Sequence, residues 1–402
     1  MLEELKSFGK NARLFLVSTS IYSFSTGIFY LVFNIYIVEG LHYSEYFLGV
    51  LLSASSFAAA LFSLPAGIIG DRIGRKPCLI GGTTATAVSM GLLITVKSQA
   101  ILVLANALLG FSITLTYVSF APFMMENTSQ KERMYLFSVN GTLSTLGYTA
   151  GAFIGGRLPS FFVTELPESL RATLLISVIL SCAAVVPLLF LTEKRKEAFF
   201  SRRIVKSTSL MKKFLLTQVL FGFGAGLIVP FFNVFFRVKL HVPIQMIGNI
   251  FAVGSITTGI VTFFAAPIAS KWGKVRSIVA TELGSLPFLL MIAYSPYLYM
   301  VAAGYIAREA LMNMGGPIVS AFMMEQVKEE ERATINGIVS GGWNGSWAVS
   351  NIVAGALMSR AMYETPFVIT CILYGVSSLL YYTFFASLER THEMGRGQNP
   401  LL

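Results

Sequence analysis

Two adjacent charged residues, Arg308 and Glu309, stand in the middle of a long apolar stretch of the sequence. Within a membrane such charges cost about 2.5–3.5 kcal/mol each on insertion scales, unless they face a partner or a water-filled cavity. Neighbouring residues on a helix point about 100° apart, so these two side chains should not pair only with each other. A carboxyl at that depth can bind and release a proton, which makes Glu309 the leading candidate for proton coupling, with Arg308 beside it. A structural ion pair that steers helix packing is the alternative.

A third charged residue, Glu282, lies early in another apolar stretch. It is either the partner of Arg308 within the proton-coupling set or an acid at the membrane interface. Other groups that carry chemistry in proteins are scarce. Cys78, Cys182 and Cys371 show no paired or metal-like spacing, and the 3 histidines are scattered. We therefore expect no metal site, no cofactor and no enzymatic activity.

The second half of the sequence repeats the first at a fixed offset of 199 residues. The first set of recurring pairs is Asn34 and Asn233, Leu41 and Leu240, His42 and His241, and Gly49 and Gly248. The second set is Phe123–Glu126 with Glu132 and Arg133, which recurs as Phe322–Glu325 with Glu331 and Arg332. One register across such distant segments indicates duplication of a whole unit, and internal symmetry of this kind is typical of membrane carriers.

The composition is 54% hydrophobic and 12% charged, which is far more apolar than a soluble domain needs for its core. Apolar runs of roughly 20 residues, the length that spans a bilayer, occur twelve times, six in each half. We therefore predict an all-α membrane protein of twelve transmembrane helices. An even number per half gives two parallel-repeat six-helix bundles, at 1–192 and 213–402, joined by a cytoplasmic linker at 193–212.

The distribution of Lys and Arg predicts the orientation of the chain. With the N-terminus inside, most basic residues fall in cytoplasmic loops and few fall outside, as expected for a membrane protein. Both termini should thus be cytoplasmic, in a multi-pass protein of the cell membrane. The same asymmetry explains the net charge of +10 without a nucleic-acid partner.

The loop between the second and third predicted spans reads Gly67-Ile68-Ile69-Gly70-Asp71-Arg72-Ile73-Gly74-Arg75-Lys76. It resembles the signature loop of the major facilitator superfamily, and with the twelve spans and the duplication the resemblance covers essentially the whole chain. In that family the acid is thought to lie against the N-terminal end of the eleventh helix when the cytoplasmic side is closed, where unpaired N–H groups favour an anion. The resemblance therefore implies a conformational latch, formed by Gly67, Asp71, Arg72, Gly74, Arg75, Glu126 and Arg133.

The fifth predicted span carries Gly147, Gly151, Gly155 and Gly156, a pattern that resembles the antiporter signature of the drug-efflux branch of this family. That signature has a proline directly after the second glycine, where this sequence has Ala152. Small residues every four positions are also a general device for packing helices in membranes, which is the alternative explanation.

The resemblance also implies that substrate contacts come from a central cavity lined by the first, fourth, seventh and tenth spans. Polar residues at suitable depth, including two of the eleventh span, are Asn34, Tyr30, Asn106, Tyr117, Asn233, Asn313, Trp343 and Asn344. For each single Asn, hydrogen bonding between helices is the alternative role. For the pair Asn34 and Asn233, both roles stay open.

Few charges would line such a cavity, which argues against strongly anionic substrates and favours a small amphipathic or hydrophobic molecule. We therefore expect a secondary transporter that works by alternating access, as proton-coupled efflux. Its partners would be a small-molecule substrate, protons and the lipid bilayer, and the protein would be monomeric. A facilitator or proton symporter for a neutral metabolite such as a sugar is the main alternative, and a membrane sensor that does not transport is the second.

Overall fold

The computed structural model describes residues 8–192, 207–328 and 331–397. All regular structure in these ranges is helical, and twelve long helices account for most of it. They are α1 (Lys10–Ile35), α2 (Glu45–Ile73), α3 (Arg75–Thr95), α4 (Gln99–Glu126), α5 (Gln130–Gly155), α6 (Leu166–Leu189), α7 (Thr208–Ile228), α8 (Ile244–Phe263), α9 (Lys274–Tyr294), α10 (Leu298–Gln326), α11 (Arg332–Met358) and α12 (Thr365–Gly397). The predicted all-α fold with twelve long helices is confirmed.

Nine helical stretches within the described ranges are long and apolar enough to cross a membrane. The three long helices outside this set are α5, α10 and α11. These are the helices that carry the glycine pattern, the Arg308–Glu309 pair and a run of Gly, Ser and Asn residues, which lower their hydropathy. The features that make them candidates for function are thus the same ones that weaken their membrane signal.

The duplication is visible in the local backbone. A π-helical turn ends the first helix at Tyr36–Gly40, and another follows α7 at Phe235–Lys239. Each is followed by a histidine with positive φ, 57° at His42 and 53° at His241. An insertion of this kind is frequent at functional sites in helices, and here both repeats keep it.

Prolines and glycines explain the other breaks. Pro230 has no N–H to continue α7, and a 3₁₀ turn, Val229–Phe231, replaces the helix there. Pro267 acts in the same way after α8, where a separate short helix, Ala265–Trp272, follows a break at Phe264. Gly74 and Gly273 separate consecutive helices with φ of 102° and 88°, a conformation that disfavours other residues.

The chain forms two compact units. The first comprises Met1–Ser201 with Phe231–Ala252, and the second comprises Arg202–Pro230 with Val253–Leu402. In the first unit α1 packs on α5 and α6, and α4 packs on α2 and α3. In the second unit α7 packs on α11 and α12 in the equivalent way, and α9 packs on α10 and α12 as α3 packs on α4 and α6.

Each unit has its own aromatic core. Phe15 and Phe123 are buried in the first unit, with Leu136 beside them. Phe214 stacks on Phe385 in the second unit, with ring centroids 4.3 Å apart. The predicted division at 193–212 stays a prediction, and residues 193–206 of that linker lie outside the described ranges.

Candidate functional site

Arg308 and Glu282, two buried charged residues of the second unit, both contact the last helix, α12. Arg308 on α10 is 5% exposed, and its Nη2 donates to the hydroxyl of Tyr374 at 3.2 Å. Glu282 on α9 is buried too, and its Oε2 accepts from Oγ of Ser378 at 2.5 Å. Tyr374 and Ser378 are one turn apart on α12, so this helix brings the arginine and the acid to the same region.

Aromatic stacking holds the hydroxyl that Arg308 contacts. The ring of Tyr374 lies parallel to that of Phe221 on α7, with centroids 4.3 Å apart and an interplanar angle of 8°. Phe221 also stacks with Trp343 of α11, with ring centroids 5.5 Å apart. Tyr374, Ser378 and Phe221 were missed by the sequence analysis, because nothing in a single sequence shows which aromatic residue of one helix faces which charge of another.

The Glu309 carboxyl is held differently. Tyr305, one turn earlier on α10, lies close to it on the side of Gly254. Its Oε2 is buried and has no hydrogen-bond partner among the described residues. Asn313, one turn later, is exposed and donates from Nδ2 to the backbone carbonyl of Glu309 at 2.9 Å. Glu309 is therefore a half-buried acid whose buried Oε2 can carry a proton or accept from a donor.

The two repeated asparagines contact each other within the first unit. Nδ2 of Asn34 donates to Oδ1 of Asn233 at 3.2 Å. Nδ2 of Asn233 in turn donates to the backbone carbonyls of Tyr30 and Leu31, at 3.1 and 2.9 Å. Both side chains are buried, so in this structure they bond helices together, which is the alternative that the sequence analysis left open.

An ion pair joins the two π-helical turns. Nε of Arg237 donates to both carboxylate oxygens of Glu39, at 2.8 and 3.0 Å, and each residue belongs to one of the π-helical turns. The sequence analysis missed this pair, since its offset is one residue short of the repeat. The sequence does carry one indication of this pair, because opposite charges stand at the same end of two equivalent spans.

The other residues predicted for substrate contact have varied surroundings. Asn106 is buried and donates to the carbonyl of Leu51 on α2 at 2.5 Å, so it also bonds two helices. Tyr117 is 78% exposed and Tyr30 is partly exposed. Trp343 and Asn344 are partly buried, and Asn344 donates to its own helix at the carbonyl of Ser340. A role of any of these in binding substrate stays a prediction.

The residues predicted for the latch fall into separate local contacts. Arg75 pairs with Asp71 across one helical turn at the α2–α3 junction, where Gly74 makes a tight turn with positive φ. Gly67 does not mark a close approach, since a Cβ there would have ordinary contact distance to Val118. The tight position is Gly70, where a Cβ would lie 2.6 Å from Nη1 of Arg75.

Two further members of that set lie at the α4–α5 turn. Glu126, the last residue of α4, is exposed. Nη2 of Arg133 donates to the carbonyl of Met125 at 3.2 Å, so this arginine caps the end of α4. Arg72 is exposed on α2. The latch itself stays a prediction.

The glycines of α5 have a packing role. A Cβ at Gly151 would lie 2.1 Å from the carbonyl oxygen of Phe24, and one at Gly27 would lie 2.2 Å from that of Tyr148. The backbones of α1 and α5 are thus in direct contact, which only small residues permit. An antiporter-specific role of these glycines is a separate matter and stays a prediction.

Comparison with known proteins agrees with this architecture. The Major Facilitator Superfamily profile matches residues 15–218 and 214–400. The multi-drug resistance efflux pump PmrA of Streptococcus pneumoniae is 28% identical over 274 residues, which is 64% of this chain and 63% of that protein. The chain thus spans less than two thirds of the length of this relative. The uncharacterized MFS-type transporter YceJ of Bacillus subtilis is 24% identical over 359 residues, 87% of this chain and 90% of that protein.

Among solved structures, the nucleoside transporter NupG has the same fold. It superposes with a TM-score of 0.75 at 16% sequence identity, covering 94% of this chain and 99% of that chain. Proteins of this superfamily are transporters of small molecules, often with protons, and not enzymes. Because the profile covers nearly every residue of both repeats, this chain belongs to the major facilitator superfamily, a family of multi-pass membrane transporters, and it has relatives among efflux pumps.

Proposed function

We propose that the protein exports small amphipathic or hydrophobic molecules in exchange for protons, and that Glu309 carries the proton. The observation that supports this most directly is the free Oε2 of Glu309, buried in α10 without a hydrogen-bond donor among the described residues. An unpaired buried carboxylate costs several kcal/mol, so this group has a physical reason to take up a proton. The relative PmrA is a multi-drug resistance efflux pump, which supports export as the direction of transport.

Arg308 and Glu282 have supporting roles in this proposal. Arg308 lies next to Glu309 in the chain, and Tyr374 holds its guanidinium. Glu282 keeps a hydrogen bond from Ser378 and is therefore better satisfied than Glu309. We assign proton carriage to Glu309 and electrostatic tuning to Arg308, with Glu282 as an acid that stabilises the α9–α12 contact.

The mechanism that we propose is alternating access by two repeats, at 1–192 and 213–402, in a monomer with both termini in the cytoplasm. Asp71 and its neighbours would hold the cytoplasm-closed state. The substrate would meet aromatic and amide groups, for which Trp343, Asn313 and Asn344 are candidates because their side chains are at least partly exposed. No metal or cofactor enters this scheme.

The test is transport in proteoliposomes with an imposed pH gradient, using ethidium as a fluorescent probe. The wild-type protein should move ethidium against its gradient while protons flow down theirs. Glu309→Gln should abolish this gradient-driven movement and leave ethidium exchange intact, whereas Glu168→Gln, on the exposed start of α6, should change neither. Driven transport in Glu309→Gln at the wild-type rate would reject the assignment.

The alternative is uptake of a neutral metabolite, either by facilitation or with protons. The exposed amide of Asn313 is the observation that favours it, because amides recognise hydroxyl-rich solutes by hydrogen bonding. A panel of neutral sugars and nucleosides, tested for uptake in the same vesicles with the gradient reversed, separates the two directions of transport.

A further inference from the structure

A glycine on α8 makes the space that the Glu309 carboxyl occupies. A Cβ built on Gly254 would lie 2.3 Å from Oε2 of Glu309 and 3.1 Å from Cε1 of Tyr305. Any larger residue at position 254 would thus collide with the carboxyl in its present position. We call the space enclosed by Gly254, Tyr305 and Glu309 the glycine niche.

The equivalent helix crossing of the first repeat contains no acid. At the offset of 199 residues, Gly254 corresponds to Ser55 and Glu309 corresponds to Gly110. A Cβ at Gly110 would lie only 2.0 Å from the carbonyl oxygen of Ser55, so α2 and α4 touch there by their backbones. The glycine belongs to α4 in the first repeat and to α8 in the second.

The residue one turn before Glu309 on α10, Tyr305, also differs from its equivalent in the first repeat. Asn106 of the first repeat bonds across to the carbonyl of Leu51 on α2. Its equivalent in the second repeat is Tyr305, which lies beside the Glu309 carboxyl instead. The helix crossing that binds two backbones together in the first repeat therefore holds a carboxyl and a phenol in the second.

We infer that Gly254 is a positioning residue for proton coupling, because it seats the Glu309 carboxyl in the glycine niche. This inference rests on the proposed function of Glu309 and adds the residue that places it. The neutral carboxyl fits the niche, since Oε2 meets no donor there among the described residues. An ionised carboxyl would have to leave it, because an unpaired buried charge is costly. Tyr305 and Arg308 are the titratable or charged neighbours that act on it.

Gly254→Ala is a clean way to empty the niche. The atom in the way is the far end of a flexible side chain, so Glu309 can move aside and the fold should survive. Gly259→Ala is the matched control, because this glycine lies on the same helix and a Cβ there meets nothing within 4 Å. Glu309→Asp offers a rescue, since its shorter side chain leaves room for the added methyl group.

The experiment measures modification of residue 309 by dicyclohexylcarbodiimide, which reacts with protonated carboxyls in apolar surroundings, in the purified full-length protein by mass spectrometry. It needs no substrate. We expect Gly254→Ala to lower the modification rate at least fivefold and Gly259→Ala to leave it within twofold. Glu309→Asp alone should also lower the modification rate. The double variant with Gly254→Ala and Glu309→Asp should be modified faster than Glu309→Asp alone.

Wild-type modification in Gly254→Ala would overturn the inference, as would a double variant slower than Glu309→Asp alone. If Gly254→Ala does not fold, Glu309→Asp is compared with wild type. Equal modification rates of these two proteins would mean that the glycine niche does not hold the carboxyl. The proposed function fails separately, if Glu309→Gln keeps gradient-driven ethidium transport. A loss of driven transport in Glu309→Gln but not in Gly254→Ala would reject only the positioning role.

Discussion

Arg133 and Arg332, 199 residues apart, make the same contact in their two repeats. Nη2 of Arg133 donates to the carbonyl of Met125 at 3.2 Å, and Nε of Arg332 donates to the carbonyl of Met324 at 2.8 Å. Each arginine lies at or near the start of a helix. Its side chain donates to a carbonyl near the end of the preceding helix, where the last carbonyls have no backbone N–H of that helix to accept from. The repeated motif that ends in Glu and Arg is thus a helix cap, preserved in both repeats.

The first prediction concerns this cap. Arg332→Gln should lower the free energy of unfolding by about 1.5–3 kcal/mol, the usual value of a hydrogen bond to a charged group, because the carbonyls of Met324 and Val327 lose their donor. Lys328→Gln, an exposed neighbour, is the control. Thermal unfolding in detergent measures both, and equal midpoints for Arg332→Gln and wild type would contradict the cap.

The second prediction compares two glycines at equivalent helix crossings. Gly110→Ala should destabilise the protein by about 1–3 kcal/mol or prevent folding, because the clash is with the backbone of Ser55 and neither helix can yield locally. Gly254→Ala should leave the unfolding temperature within about 2 °C of wild type, because only a side-chain end must move. Yield and thermal midpoint of the two variants, measured together, check the difference.

These crossings also show how far the sequence goes. The offset of 199 predicts which helices correspond, and the apolar runs predict where they lie. The sequence does not predict which of two crossing helices supplies the small residue. Gly147 on α5 meets Ser20 and Ser23 on α1, whereas the equivalent crossing of the second repeat has Gly222 on α7 against Ser346 on α11. Close approach is kept at this pair of positions while the glycine changes helix, although Gly27 and Gly226 are equivalent glycines of the same crossing.

The candidate site was predictable only in part. Arg308 and Glu309 are identifiable because charges in an apolar span are costly, and that argument needs no partner. Tyr374, Ser378 and Gly254 are apolar or weakly polar residues in helices full of similar ones, so only the packing of three helices singles them out. The tertiary contacts carry this information, and one amino-acid sequence by itself does not show them.

The third prediction concerns Asn233, which joins the segment after α7 to α1. Asn233→Ala removes its donors to the carbonyls of Tyr30 and Leu31 and the acceptor of Asn34. Leaving such a buried set unpaired should cost about 1–3 kcal/mol and speed amide exchange in residues 30–38. Asn313→Ala, which removes one bond to its own helix at an exposed position, should change neither quantity. Hydrogen exchange with mass spectrometry makes the comparison, and unchanged protection of that segment would count against the predicted role.

The fourth prediction follows from the start of α5. Ser129 and Glu132 form a capping box, in which the carboxylate accepts from the Ser129 hydroxyl at 2.7 Å and from its N–H at 3.1 Å. The hydrogen bond from the Ser129 side chain, followed by that from its backbone, lowers the pKa of Glu132 below the usual 4.5. A carboxyl whose pKa is lower when folded stabilises the protein above its unfolded pKa, and this contribution is lost as pH falls through the folded value.

The measurement is the unfolding temperature of wild type and Glu132→Gln between about pH 3 and 7, the interval that brackets an ordinary carboxyl pKa. Wild type should be the more stable at neutral pH, and its advantage should decrease as the pH falls below the ordinary carboxyl pKa of about 4.3. In a Ser129→Ala background the pH-dependent part of that advantage should shrink, because the donor that lowers the pKa is gone. A difference that is constant across the whole interval would show that the capping carboxylate does not act through its charge.

The last prediction tests the latch through the ion pair of Asp71 and Arg75. This pair spans one helical turn and the Asp71 side chain is 34% exposed, so the pair itself should contribute only about 0.3–0.5 kcal/mol to stability. Asp71→Asn should therefore leave the unfolding temperature almost unchanged. If Asp71 also holds the cytoplasm-closed state, the same variant should increase maleimide labelling of a cysteine introduced at Arg72, in membranes, severalfold. Arg75→Gln removes the same ion pair but leaves the acid in place, so it should increase labelling less. Equal labelling of Asp71→Asn and its parent would mean that Asp71 serves the α2–α3 turn alone, and a matching increase in Arg75→Gln would assign the effect to the ion pair.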